Sequence, residues 1–253
     1  MDERQVRKLF ERVSSGELPV EDALRELKYL PFEDLGFARV DHHRAMRTGL
    51  PETVYGQGKT PAQVGAIVAE LLANSEGPVL VTRADPSHYE EVLRVAPDAL
   101  LHQSCGLIVA RTSDGAPSGV VLVMTAGTSD LPVADEAALV GEAIGLKIER
   151  LNDVGVAGLH RLFASAEALE RAEVIIVVAG MEGALTSIVA GLVSVPVVGV
   201  PTSVGYGAGA QGIAPLLTML NACAPGVAVV NIDNGYGAAV FAASVLAGRG
   251  EPK

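Results

Sequence analysis

The sequence predicts an α/β protein in two parts: a C-terminal open parallel sheet with helices on both faces, preceded by a smaller α+β domain. Three observations predict it. From residue 118 onward, runs of Val, Ile and Leu alternate five times with helical stretches, and strands apolar on both faces belong in a parallel sheet covered on both sides. The corner after each of those strands is rich in Gly, Ser, Asp and Asn, which gathers polar turn residues on one rim. Before residue 118 the texture is mixed, with charged helices, Pro/Gly punctuation and a basic polar stretch.

In chain order, residues 3–14 and 19–28 read as charged helices, with Ser15 and Gly16 between them and Pro19 opening the second. LGFARVDHHRAMRTGLPETVYGQGKTPAQ, residues 35–63, is polar, dense in Arg and His and broken by Gly and Pro, so short strands and loops are expected around a helical turn at about 41–47. Thr60-Pro61 starts a helix running to about Asn74, GPVLVTRA is a strand, Pro86 opens another helix, and 99–110 holds two short strands. The turn-rich RTSDGAPSG marks a boundary between a smaller N-terminal α+β domain, 1–117, which could fold over the rim of the second, and a three-layer α/β domain, 118–253. In the second domain, strands are expected at 119–124, 146–151, 173–178, 196–200 and 227–231. Helices are expected at 132–144, 158–171, 182–192, 210–222 and 236–247. A ligand then belongs at the carboxyl ends of the strands, where the strand order reverses.

Composition narrows the function classes. A chain of 253 residues buries a core without staples, and its two cysteines, Cys105 and Cys223, lie far apart without metal-ligand spacing. Neither a disulfide framework nor structural zinc is expected, which suits a soluble protein of the reducing cytoplasm. The opening MDERQVRKLFERV lacks the long apolar segment of a signal peptide, and later apolar runs are broken before membrane-spanning length, so no membrane partner is expected. A net charge of −11 argues against nucleic acid as a partner, although a small anion needs only a few local donors. Ala/Gly-rich helices such as 236–247 offer flat faces for packing copies together, so a homo-oligomer is expected.

The five rim corners read AGTSDLP, NDVG, AGMEGALTS, GVPTSVGYGAGAQG and NIDNGYG. GYGAGAQG lacks the Lys-Ser/Thr of a phosphate-binding P-loop. In the first corner, Thr128 or Ser129 can cap the helix opening at Pro132 and leave N–H groups for an anionic oxygen, while Asp130 can accept from a ribose hydroxyl. A plain capping box with Asp135 or Glu136 uses the same residues differently. Glu182 is a candidate for proton transfer or an ordinary carboxylate at a helix start. Gly180, Met181, Gly183, Gly205, Gly207 and Asn234 complete the candidate binding rim. Arg44, Arg47, Lys59 and Arg83, with Asp41 and His42 nearby, can bring positive charge to the ligand or serve as surface ion-pair partners. His160 is a core-edge residue or an acid near the rim. Cys223 is a core thiol or a nucleophile, and Cys105 reads as structural.

GTSDLPVADEA, VAGMEGALTSIVAG…VPVVGVPTSVGYG and LNACAPGVAVVNIDNGYGAA resemble the catalytic half of the pyridinium-3,5-biscarboxylic acid mononucleotide synthase family, which opens nickel-pincer cofactor assembly. The likeness extends through DHHRAMRTGLPETVYGQGKTP. That core is similar in turn to the purine-pathway aminoimidazole ribonucleotide carboxylase/mutase, so a flavodoxin-like, purine carboxylase-like sheet is implied. The resemblance implies carboxylation of ring carbon 5 of nicotinic acid adenine dinucleotide, with CO2 or bicarbonate as co-substrate, and then hydrolysis of the phosphoanhydride to release AMP. It places on Cys223 the thiolate that adds to ring carbon 4 and makes carbon 5 nucleophilic. Mg2+ is expected, with Asp233 a candidate ligand, whereas a tightly bound organic cofactor is not. The related families imply an octamer. The purine enzymes carry a His within a Gly-Ala-Ala-His-Leu run after the third strand, where this chain has Gly180-Met181-Glu182-Gly183-Ala184. Two alternatives stay open: a purine-type carboxylase or mutase, and a non-catalytic nucleotide-binding module.

Overall fold

Amphipathic spacing makes α1 (Glu3–Ser14) and α2 (Val20–Tyr29) pack together, burying Leu9 and Ala23. The computed structural model describes residues 3–29, 33–42, 44–115 and 118–248. The chain divides into two compact units, Met1–Asp114 and Gly115–Lys253, and the boundary expected at residue 117 falls outside the described residues.

In the first unit, an antiparallel ribbon of β1 (Glu33–Asp34) and β2 (Arg39–Val40) is followed by α3 (Arg44–Thr48) and β3 (Val54–Tyr55). The helix α4 (Pro61–Asn74) starts at a reciprocal cap: Gln63 N donates to Thr60 Oγ1 at 3.3 Å, and Thr60 N donates to Gln63 Oε1 at 2.9 Å. Next come β4 (Val79–Thr82), α5 (Pro86–Val92), β5 (Leu100–His102) and β6 (Leu107–Arg111). Their sheet runs β3-β4-β6-β5, parallel between β3 and β4 and antiparallel elsewhere. Val64, Ile67, Val68 and Leu71 of α4 form its core with Val79, Val81 and Ile108. Arg111 closes the far end of α4, donating to Gly77 O at 2.8 Å and to Ser75 Oγ at 3.0 Å.

The second unit holds β7 (Ser118–Thr125), α6 (Leu131–Ala143), β8 (Leu146–Leu151), α7 (Leu159–Phe163), α8 (Ala166–Arg171), β9 (Val174–Ala179) and α9 (Ala184–Ala190). It ends with β10 (Val197–Pro201), α10 (Ile213–Leu220), β11 (Val227–Val229) and α11 (Gly235–Ala247). All five strands are parallel, in the order β11-β10-β9-β7-β8. The first strand, β7, lies between β8 and β9, so the order reverses at the carboxyl ends of β7 and β9.

Alternation explains the two covered faces. Val121, Val123, Ile176 and Val198 pack with Ala134, Ala137, Ala138, Ala238 and Ala242 of α6 and α11. Leu122, Met124, Ile175 and Val177 pack on the other face with Leu162, Leu169, Leu185 and Val189 of α7, α8 and α9. Small residues let α6 and α11 approach closely: a Cβ on Gly235 would lie 2.4 Å from Val133 O. Of the border strands, β8 carries Lys147, Glu149 and Arg150, and β11 has three residues.

In the second unit, four elements depart from the sequence reading by a break or by two residues or more. The stretch 158–171 is two helices, because Ser165 N turns back to Leu162 O and separates α7 from α8. The helix expected from 182 begins at Ala184, since Met181 and Gly183 take left-handed φ of 54° and 66°. The helix expected from 210 begins at Ile213, after a 3-10 turn over Gly207–Gly212 that ends with Gly212 at φ 97°. The last strand stops at Val229 rather than 231.

Candidate active site

Asp130 ties together the corners that follow three adjacent strands. Its Oδ2 accepts from Gly127 N at 3.0 Å, after β7, and its Oδ1 accepts from Gly180 N at 3.1 Å, after β9. The same Oδ1 accepts from Thr202 Oγ1 at 2.7 Å, after β10. Asp130 and Thr202 are both buried. Burial raises the Asp130 carboxyl above the ordinary carboxylate range; the three donors act in the opposite direction, and the negative charge of Asp233 adds to the rise. Gly180 is required at this crossing, because a Cβ there would lie 2.4 Å from Val204 O and 2.6 Å from Thr202 Oγ1.

This arrangement corrects the expected helix start. Thr128, Ser129 and Asp130 form a 3-10 turn, α6 starts at Leu131 without a side-chain cap, and Asp130 reaches backward to Gly127. Nor do Asp135 and Glu136 make a capping box: Asp135 pairs with Arg150 at 2.9 Å, and buried Glu136 accepts from Tyr236 N at 3.1 Å. Asp130, expected to receive a ribose hydroxyl, already accepts from three donors of its own chain.

A cleft of about 250 Å³ opens beside the clasp, at the switch point between β7 and β9. Ser129, Asp130, Gly180, Met181, Glu182 and Gly183 line it, so the structure unites the first and third rim corners. Exposed Glu182 stands between the left-handed Met181 and Gly183, in a turn ahead of α9 rather than within its first turn. Arg161 also lines the cleft and pairs closely with Asp153, whose backbone N–H donates to Thr125 Oγ1 at 3.0 Å. Neither Arg161 nor Thr202 stood out in the sequence; the spatial signal that reveals them is their place on the rim.

Other candidates of the second unit are not among the residues that line this cleft. Asn234 caps α11, accepting from Gly237 N at 2.8 Å, and Asp233 Oδ1 accepts from Ser203 N at 2.8 Å. Gly205 and Gly207 take φ of 149° and 59° in the loop after β10 and are not among the cleft's lining residues. His160 is exposed, and Cys105 is half-buried in the β5–β6 turn. In the first unit, the loop bearing Lys59 and the turn bearing Arg83 meet at one end of the small sheet. Gly56 N donates to Thr82 O at 2.8 Å, and the buried His88 ring links Lys59 O, at 2.9 Å from Nε2, to Asp85 N. Lys59 Nζ donates to Tyr55 O at 2.7 Å, and Arg83 holds a left-handed φ of 52°. Arg44 and Arg47 both fall on α3, and the Arg47 side chain is outside the described part.

Cys223 is exposed, which removes it from the core. It sits between α10 and β11, and Val197 N, at the start of β10, donates to Gly226 O of the same loop. The thiol is therefore at the amino edge of the sheet, whereas the cleft is at the carboxyl edge. A five-residue strand such as β10 separates those edges by roughly 17 Å. Within one chain, the structure does not bring Cys223 to Glu182 and Asp130.

Among the described residues, no group of three or more His, Cys, Asp or Glu side chains is placed to hold a metal. Asp233, the candidate magnesium ligand, accepts from Ser203 N through Oδ1, and a magnesium ion held by a single protein carboxylate takes its other ligands from water and phosphate oxygens.

Residues 32–112 match the LarB/PurE-like N-terminal domain, and residues 120–251 match AIR carboxylase. An uncharacterized protein of Methanocaldococcus jannaschii is 39% identical over 250 residues, covering 94% of this chain and 96% of that protein. The chain belongs to the LarB family. Its C-terminal half is the PurE-like part: the N5-carboxyaminoimidazole ribonucleotide mutase of M. jannaschii is 32% identical over 137 residues, which is 52% of this chain and 82% of that enzyme. The crystal structure of Treponema denticola PurE is similar at 21% identity and a TM-score of 0.42, covering 52% of this chain and 82% of that one. LarB and PurE domains together make this a member of a carboxylase- and mutase-like enzyme family. No helix among the described residues is long and apolar enough to cross a membrane.

Proposed function

We propose that the protein carboxylates ring carbon 5 of nicotinic acid adenine dinucleotide and then hydrolyses its phosphoanhydride, releasing AMP and pyridinium-3,5-biscarboxylic acid mononucleotide. The observation that carries this reading is LarB-family membership through both halves of the chain. A pyridinium ring is too electron-poor to attack CO2. Addition of the Cys223 thiolate at carbon 4 forms a C–S bond and leaves an enamine whose carbon 5 attacks CO2. Loss of the carbon-5 proton and breakage of the C–S bond restore the aromatic ring, now carrying a second carboxylate, and return the thiolate. Glu182, exposed in the cleft, is the residue assigned to receive that proton. Water then cleaves the phosphoanhydride.

The separation of the two edges adds a condition: the thiol attacking a ring held in one chain's cleft belongs to another copy. A homo-oligomer, with the octamer of the related families as its proposed size, meets that condition. Bicarbonate is included in the assay as the proposed source of CO2, and magnesium as the proposed ion, with Asp233 its proposed ligand.

Wild type and Cys223→Ser are incubated with the dinucleotide, bicarbonate and magnesium, and followed by intact-protein mass spectrometry and product analysis. AMP and the dicarboxylated mononucleotide are expected from wild type alone, together with a protein adduct absent from the variant. Binding without AMP from either protein sinks the proposal. The carboxylase-type half and its mutase relatives favour a second reading, so aminoimidazole ribonucleotide is tested in parallel. Its conversion, without action on the dinucleotide, would replace the first reading.

A further inference from the structure

We infer that Arg161 binds an anionic group of the substrate, a carboxylate or a phosphate, in the switch-point cleft. This rests on the placement of ligand in that cleft proposed above. Four polar side chains line the cleft: Ser129, Asp130, Arg161 and Glu182. Asp130 is held by three donors, and Glu182 repels an anion, so the positive charge of the lining comes from Arg161. In a chain of net charge −11, an anionic ligand depends on such a local donor.

The guanidinium is preorganised. Its Nη1 faces Asp153 Oδ2, and Asp153 is fixed by a left-handed φ of 59° and by the bond from its N–H to Thr125 Oγ1 at the end of β7. The plane of the group lies against Gly158: a Cβ there would come within 2.8 Å of Nε and 3.1 Å of Nη2. A guanidinium has five N–H donors in a fixed fork suited to two oxygens at once. The Arg161 and Asp153 side chains are 39% and 47% exposed, so their ion pair adds little to stability and does not by itself account for the arrangement. Ala126, Val156, Ala157 and Ala179 supply an apolar wall against which that charge is felt more strongly. At about 250 Å³, the cleft is below the roughly 300–1,000 Å³ of sites for drug-sized ligands, and it suits one nucleotide half of a dinucleotide.

The test measures calorimetric affinity of the full chain for nicotinic acid adenine dinucleotide, its amide counterpart NAD and aminoimidazole ribonucleotide. The variants are Arg161→Met, Arg161→Lys, Gly158→Ala and Asp153→Asn, with far-UV circular dichroism to verify folding. Arg161→Met is expected to weaken binding about ten- to a hundredfold, with partial recovery in Arg161→Lys. Gly158→Ala should weaken it too, by displacing the fork without changing charge, and Asp153→Asn, which loosens the anchor of the fork but keeps its charge, should weaken it less than Arg161→Met does. Weakening confined to the acid dinucleotide assigns the anion as the ring carboxylate. Equal weakening for acid and amide assigns a phosphate. Unchanged affinity in Arg161→Met, or equal loss in Arg161→Met and Asp153→Asn, overturns the inference, the latter because it marks a scaffold pair. Wild-type binding without AMP formation refutes the proposed reaction alone and leaves these comparisons decisive. No wild-type binding of any of the three overturns both.

Discussion

Asp130 carries its carboxylate where water has little access, and three donors make that burial tolerable. Asp130→Ala leaves two N–H groups and a hydroxyl without their acceptor, and a loss of about 2–4 kcal/mol in urea unfolding is expected. Asp130→Asn keeps one acceptor oxygen and should lose less. The folded pKa is raised above the ordinary 3.8, so the group's contribution to stability is fullest below that pH and is lost as pH rises through the folded value. The stability advantage of wild type over Asp130→Asn should therefore shrink from about pH 4 upward, which urea midpoints across pH will show. A constant difference would reject the assigned shift. The Asp130 corner was legible because a Ser-Asp-x-Pro turn after an apolar strand has few uses. Thr202 was not legible, since its hydroxyl meets Asp130 across 72 positions and no local spacing records the pairing.

At the scale of elements, close approach decides which substitutions the fold accepts. Gly235→Ala drives a methyl into Val133 O and the start of Ala137, pushing α11 away from α6, and should cost about 1–3 kcal/mol in thermal or urea unfolding. Gly180→Ala collides with Val204 O and Thr202 Oγ1, so it should both destabilise the protein and weaken ligand binding in the cleft. Retained binding would mean that the clasp does not shape the cleft. The alternating strands and helices were readable because apolar runs, capping residues and Gly/Pro corners agree. The order β11-β10-β9-β7-β8 was foreseen only as a class with a reversal, since strand pairing between distant segments leaves no periodic mark. The starts of α9 and α10 were misplaced because left-handed backbone at Gly183 and Gly212 holds off helical geometry that composition would permit.

For the whole molecule, the distance between the amino-edge thiol and the carboxyl-edge cleft makes catalysis a property of more than one copy under the proposed function. Cys223→Ser and Glu182→Gln should each be inactive alone. Co-expressed in one assembly, they should recover up to about a quarter of wild-type AMP formation, from sites that draw an intact thiol and an intact carboxylate from different chains. Continued inactivity in verified mixed oligomers would place both groups in a single chain's site. How those copies meet is constrained by the two borders of the five-stranded sheet. Lys147, Glu149 and Arg150 put charge along β8, while β11 offers three residues of backbone, too short a rail for another strand to dock along. Association by extending the sheet is disfavoured at both ends. The same borders that turn the assembly toward helix and loop surfaces also withhold from the folded catalytic unit a template for fibril growth.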